Sequence, residues 1–334
     1  MGAVQSQDHG PAKWSLAQRT AGLDDESIQR SFDEGSILRT HVLRPTWHFV
    51  TPDDIRWVLD LTGPRVQGVL AHYYRREGLD EELRGRTNSI LEKALGNESY
   101  LTRKEIQQRL AGAGIQAGGM ILGFLLGNAE LEGLICSGPM RGKQHTFALL
   151  EERAPSARKL PREEAVAELT RRYFTSHGPA TAKDFRWWSS LTLTDIKNGI
   201  ESVKEHLIET VVDDISYWSA PLPSSTPPNP PKALLLQGYD EYIVGYSESK
   251  WLLDISRTGA PGNGSTFIGV ILLGTQVRGS WKRTITKDSV HFELAPSPAF
   301  DESQLSDVQR EAERHAAFLG LPSATVQLVR ATAG

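Results

Sequence analysis

Residues 37–54, ILRTHVLRPTWHFVTPDD, gather the side chains best equipped for recognition chemistry. Arg39, Thr40, His41, Arg44, Thr46, Trp47 and His48 put cations, hydroxyls and aromatics on one β-prone run. Such a set can hold phosphates through Arg and Thr while Trp47 or His48 meets a displaced base. The plainer reading is a strand whose Val42, Trp47 and Phe49 are core, and Trp47 suits both. Ahead of this run lies QSQDH, in which Gln5 and Gln7 flank Ser6 and are followed by Asp8 and His9. By residue type alone it is a polar turn before a helix or a reactive site, and both stay open.

Other chemistries fail on spacing. GAPGNGS (259–265) has neither the Lys-Ser/Thr of a phosphate-binding loop nor a following helix, so it reads as a hairpin turn. His41 and His48 lack helical metal-ligand spacing, and His9, His72, His145 and His177 are scattered, so no metal and no cofactor are expected. No serine sits in a nucleophile-elbow context.

The elements that must position these residues show a repeated pattern. Thr51, Thr102 and Thr181 each precede an acid by three residues (Asp54, Glu105, Asp184) and then apolar residues. That is a helix start in which the Thr oxygen takes a free backbone N–H and the acid favours the positive end of the dipole. After Thr102 a short helix, an apolar-striped helix (116–138) and a hairpin-like segment with a basic glycine turn (140–153) follow. Around Thr181 the order is helix (161–178), capped helix, helix (191–207) and a strand-like run, IETVVDDISYW. Helix, helix, helix, β-wing is the order of a winged helix-turn-helix, and a stretch near 13–75 supplies an earlier copy with 37–50 as its β-rich element. The generic alternative is an all-α domain with turns.

Residues 221–231 form a Pro/Ser linker that can continue neither a helix nor a central strand. Beyond it ALLLQGYDEYIVGY, STFIGVILLG, TQVRGSWKRTI and SVHFEL read as short strands between Gly turns, a small β-barrel or curled sheet. An amphipathic helix (301–320) and a last strand in ATVQLVR complete the pattern. The fold class is therefore α+β.

With 334 residues the chain is long enough for several modules. The longest apolar run, around 120–126, is far shorter than a membrane span, and no secretory signal is read at the N-terminus. Cys136 is the only cysteine, which excludes an intramolecular disulfide and suits a reducing cytoplasm. The net charge of −4 does not decide against nucleic acid, because basic residues come in local groups such as Arg39/Arg44, Arg75/Arg76 and Arg171/Arg172.

GAVQSQDHGPAKWSLAQR, RTHVLRPTWHFVTPDDIRWVL, YDEYIVGY, GNGSTF and GSWKR occur in this order, and together they resemble the AlkZ-type bacterial DNA glycosylases. These enzymes excise bulky alkylated bases and unhook interstrand crosslinks. The resemblance implies three tandem winged helices and a C-terminal β-barrel in a C shape. Winged helix 1 is then expected at 1–84, winged helix 2 at 85–157, winged helix 3 at 158–220, the linker at 221–231 and the barrel at 232–334. Related sequences carry a helix before the catalytic motif; here four residues precede Gln5, so the first module is expected to lack its N-terminal helix.

The family's catalytic Gln-x-Gln falls on Gln5 and Gln7. The resemblance implies a monofunctional glycosylase acting on N7- or N3-alkylpurines, with bulky adducts and crosslinks within its range. An N7-alkylated guanine is cationic and leaves readily, so two amides that orient a water suffice in place of a strong general acid. The implied partner is double-stranded DNA carrying alkylated bases, met by a monomer in the cytoplasm and with no membrane. Arg39, Thr40, Arg44, Thr46, Trp47 and His48 are the DNA-contact candidates. Arg141 and Lys143, in their glycine turn, and Lys282 and Arg283, in the barrel, are further phosphate or groove candidates. The alternative is a non-catalytic winged-helix DNA-binding or regulatory protein in which QSQ is a polar turn.

Overall fold

The computed structural model describes residues 1–221, 231–253 and 269–329. It begins with β1 (Val4–Gln5), α1 (His9–Ala17) and α2 (Asp25–Glu34), then the hairpin β2 (Leu38–Val42) and β3 (Arg44–Val50). α3 (Ile55–Arg76) and α4 (Glu81–Leu95) lead to β4 (Leu101–Thr102), α5 (Arg103–Gly112) and α6 (Gly119–Leu131). β5 (Ile135–Ser137), β6 (Thr146–Leu149), α7 (Leu150–Arg153), α8 (Arg162–His177), α9 (Ala182–Ser189) and α10 (Leu193–Val203) follow. Next come the hairpin β7 (Ile208–Val212) and β8 (Ile215–Ser219), then β9 (Ala233–Leu236) and α11 (Glu241–Val244). β10 (Gly269–Leu273), β11 (Gln276–Ile285), β12 (Ser289–Pro296), α12 (Glu302–Phe318) and β13 (Ser323–Leu328) complete the order. Met1–Gln7 with Arg30–Ala220 form one compact unit, and Asp8–Gln29 with Pro221–Gly334 a second. Most of the Pro/Ser linker and the GAPGNGS turn lie outside the described residues.

In the first unit, bundles of helices alternate with the small sheets β1-β3-β2, β4-β6-β5 and β7-β8. The expected helix starts at Thr102 and Thr181 are full capping boxes: each Thr oxygen accepts an N3 backbone N–H and the N3 acid takes the Thr backbone N–H. Thr192 and Asp195 make a third, which opens α10. Thr51 differs. Its hydroxyl donates to Asp54 Oδ2 at 2.8 Å, and no side-chain cap bond forms at α3. α3 starts only after Asp54, so Thr51 lies outside it and receives the Asp54 and Ile55 N–H groups on its main-chain oxygen. The Asp54 carboxylate also accepts from the Trp57 indole, Arg158 and Arg172. Burial alone would raise this carboxyl, but those donors overcome it and hold it well below the carboxylate range.

IETVVDDISYW is a hairpin rather than one strand, because Asp213 and Asp214 both take positive φ (49° and 61°), the backbone of a two-residue turn. A buried aromatic cluster holds α8 to α9, with Tyr173 stacked on Phe185 at 4.7 Å and Trp188 beside it.

The second unit is built on one five-stranded sheet in the order β13-β12-β11-β10-β9, antiparallel except for β12 with β13. β9 and β13 are its edges among the described residues, so the expected barrel is a curled half-barrel. α12 lays Val308, Ala312 and Ala316 onto Ile271, Phe292 and Leu294, and so fills the core that strand closure would otherwise fill. Gly269 is required where β10 passes the Trp281 indole, which a Cβ would strike. The strand expected through YDEYIVGY stops at Leu236. Asp240 instead caps the short α11 by accepting the Tyr242 N–H at 2.9 Å, and it also takes the Ser15 hydroxyl (2.6 Å) and Arg19. α1 packs in this unit, with the Trp14 indole donating to Leu235 O at 2.8 Å.

Candidate active site

β1 is an edge strand added to β3, with Val4 opposite Phe49 and Gln5 opposite His48. The pairing extends one step further, since Ser6 N–H donates to Trp47 O at 2.7 Å. Strand alternation places Gln5, His48 and Arg44 on one face. β2 and β3 are joined through the single residue Leu43 at φ 65°, a conformation costly for a leucine. Its side chain is fully buried and its N–H donates to Thr62 Oγ1 at 3.1 Å, so tertiary packing holds the turn that aims Arg44.

On that face Arg44 Nη2 lies 2.7 Å from the Gln5 side-chain oxygen and 3.5 Å from His48 Nε2. A guanidinium has donors only, so the Gln5 amide must turn its oxygen to Arg44 and its nitrogen the other way. His48 Nδ1 donates to Thr46 O at 3.0 Å, which leaves Nε2 as the acceptor facing Arg44. Gln5, Arg44 and His48 are all buried.

Gln7 is half-buried, and its side-chain oxygen accepts the Trp47 backbone N–H at 3.4 Å. Arg39 grips the main chain of the motif: Nε donates to Ser6 O at 3.0 Å and Nη2 to Gln7 O at 3.4 Å. The same guanidinium lies 4.3 Å over the Trp47 ring. Both edges of the Gln-x-Gln segment are thereby held, one by β3 and one by an arginine.

The sequence candidates are thus distributed unevenly. Arg39, Arg44, Trp47 and His48 converge on Gln5-Ser6-Gln7. Thr40 is buried opposite His48, and Thr46 contributes its carbonyl to His48. Arg141 and Lys143 are exposed on the β5–β6 turn, where Arg141 bonds Glu105 (2.8 and 3.0 Å) and Tyr100 O (2.6 Å). Lys282 is exposed on β11; Arg283 is half-buried and bonded to His315. Both belong to the second unit. Sequence reasoning passed over Glu130, a buried acid on α6 that bonds His41 and the Trp47 indole; an acid inside the apolar run 120–135 is the signal that was available. No group of three His, Cys, Asp or Glu that could hold a metal occurs among the described residues.

Two amides, Gln5 at the end of β1 and Gln7 just beyond it, are thus held by Arg44 and by the Trp47 backbone. The family model described as DNA glycosylase AlkZ-like matches residues 1–318, and the chain belongs to this family of monofunctional DNA glycosylases, hydrolases of the N-glycosyl bond in DNA. Among individual proteins, it is 24% identical over 348 residues to the interstrand DNA cross-link repair glycosylase of Streptomyces sahachiroi, covering 98% of this chain and 91% of that one. The solved structure of Streptomyces sahachiroi DNA glycosylase AlkZ shares the fold with a TM-score of 0.80 at 22% identity, over 98% of this chain and 91% of that one. Among the described residues no helix is long and apolar enough to cross a membrane.

Proposed function

We propose that this glycosylase excises N7- and N3-alkylated purines from double-stranded DNA, including bulky adducts and interstrand crosslinks, with water held by Gln5 and Gln7. The observation that carries the reading is the fixed orientation of the Gln5 amide against Arg44 at 2.7 Å, two residues from a second amide, Gln7, just beyond the end of the same edge strand. The named activity of the Streptomyces relative supports the crosslink part.

In the reaction the C1′–N bond breaks with its electron pair going to the cationic base. Water adds to C1′ of the oxocarbenium-like sugar, and its surplus proton goes to solvent. The Gln7 oxygen accepts a hydrogen bond from that water, while the Gln5 nitrogen donates to an oxygen of the sugar–phosphate or of the water itself. Neither amide takes a proton, so positioning and electrostatics supply the rate enhancement. Arg39 and Arg44, buried against the motif, position it, and phosphate contact falls to exposed cations such as Lys143 and Lys282. Helices followed by the hairpins β2–β3, β5–β6 and β7–β8 support the reading of three winged helices as the DNA-binding scaffold.

The test incubates the protein with duplexes carrying 7-methylguanine or an N7-linked crosslink and scores alkali-labile abasic sites. Abasic sites on either duplex support the reading; intact DNA on both removes it.

A further inference from the structure

The mechanism above makes no use of Glu130, yet this acid is 1% exposed. A buried carboxylate is costly unless hydrogen-bonded, and Glu130 has two partners on the β2–β3 hairpin. One oxygen accepts from the Trp47 indole at 3.3 Å, and the other is bonded to His41 Nδ1. His41 and Trp47 are cross-strand partners, with rings 4.4 Å apart. The carboxylate therefore clamps one rung of the β2–β3 ladder from α6.

That rung is the one to which the glutamine motif is attached. Trp47 O accepts the Ser6 N–H at 2.7 Å, and Trp47 N–H reaches the Gln7 side-chain oxygen at 3.4 Å. Arg39, stacked 4.3 Å over the Trp47 ring, holds Ser6 O and Gln7 O. A shift of Trp47 thus moves four contacts of Ser6–Gln7 together, two directly and two through Arg39.

We infer that Glu130 is a positioning residue for the Gln-x-Gln segment, acting through the Trp47 indole and His41 to fix the backbone and amide that present Gln7. This rests on the reading of Gln5 and Gln7 as the water-holding pair. Glu130 touches no reacting atom, so its removal acts on the chemical step and spares DNA affinity.

The test combines two readouts on the full chain: single-turnover excision of 7-methylguanine, with duplex Kd alongside, and hydrogen exchange of the Ser6 amide. Glu130→Ala is expected to slow excision about 10- to 100-fold, the loss of one charge-assisted hydrogen bond. Kd should change less than about threefold, and Ser6 protection should fall about tenfold or more on the same scale. Glu130→Gln, whose oxygen can still accept from the indole, should recover most of both. Trp47→Phe keeps the main-chain contacts and the Glu130–His41 pair, and should slow excision in the same direction. If Glu130→Ala misfolds, Trp47→Phe and Glu130→Gln still decide. Unchanged Ser6 protection, or loosened Ser6 with unaltered excision, overturns the inference. Activity indifferent to Gln5→Ala and Gln7→Ala instead removes the underlying site, and Ser6 exchange still decides the anchoring.

Discussion

Arg44→Met separates positioning from phosphate binding at the residue where the two differ most. The change keeps an aliphatic stem in the buried slot and removes the guanidinium donor that lies 2.7 Å from the Gln5 side-chain oxygen. A hydrogen bond from a charged donor contributes about 1.5–3 kcal/mol. At about 1.4 kcal/mol per tenfold, loss of that bond in the transition state slows single-turnover excision about 10- to 150-fold. Binding should respond differently. A lost phosphate contact lowers the slope of log Kobs against log salt by about 0.9, whereas a lost positioning contact leaves it unchanged. The assay is therefore rapid-quench excision of 7-methylguanine with saturating enzyme, paired with anisotropy titrations across a salt series. An unchanged excision rate together with a reduced salt slope would refute positioning and restore phosphate contact.

Further predictions concern the scaffold. Asp54→Asn strips the charge that Arg158 and Arg172 share, and should cost the first unit about 2–4 kcal/mol in urea unfolding; a cost under about 0.5 kcal/mol contradicts the network. His315 is fully buried against Trp14, and burial together with Arg283 and Arg314 pushes its pKa down from 6.5 to about 2. The unfolded chain then binds a proton that the folded one refuses, so stability falls as pH drops below 6.5. The loss is about 2 kcal/mol by about pH 5, followed by Trp fluorescence; His315→Gln should flatten this slope. Cys136 is fully buried with its thiol pushed up to about 12 by burial, so iodoacetamide should label it only in denaturant.

What the sequence makes legible is mostly local. The capping boxes at Thr102 and Thr181 could be read because their bonds close within three residues. Thr51 has the same letters, but Asp54 answers to Arg158 and Arg172, more than 100 positions away, and no local pattern contains them. The helix at Glu241–Val244 was hidden for the same reason: Asp240 is fixed by Ser15 of α1 and by Arg19 just beyond that helix. Gln5 and Gln7 were visible only through family resemblance, since two glutamines in a polar stretch have no periodicity to mark them. Arg39 and Arg44 were legible as cations near the site, but their burial against the motif depends on the β1–β3 pairing, a contact across some forty residues.

The role proposed for Gln5 and Gln7 is to hold the water that replaces the base. Its most direct test is single-turnover excision of 7-methylguanine by Gln5→Ala, Gln7→Ala and the double variant, with Kd measured in parallel. Loss of excision is expected in the double variant, a large loss in each single variant, and duplex affinity within a few-fold of the parent. Excision at the parental rate by the double variant would contradict this role.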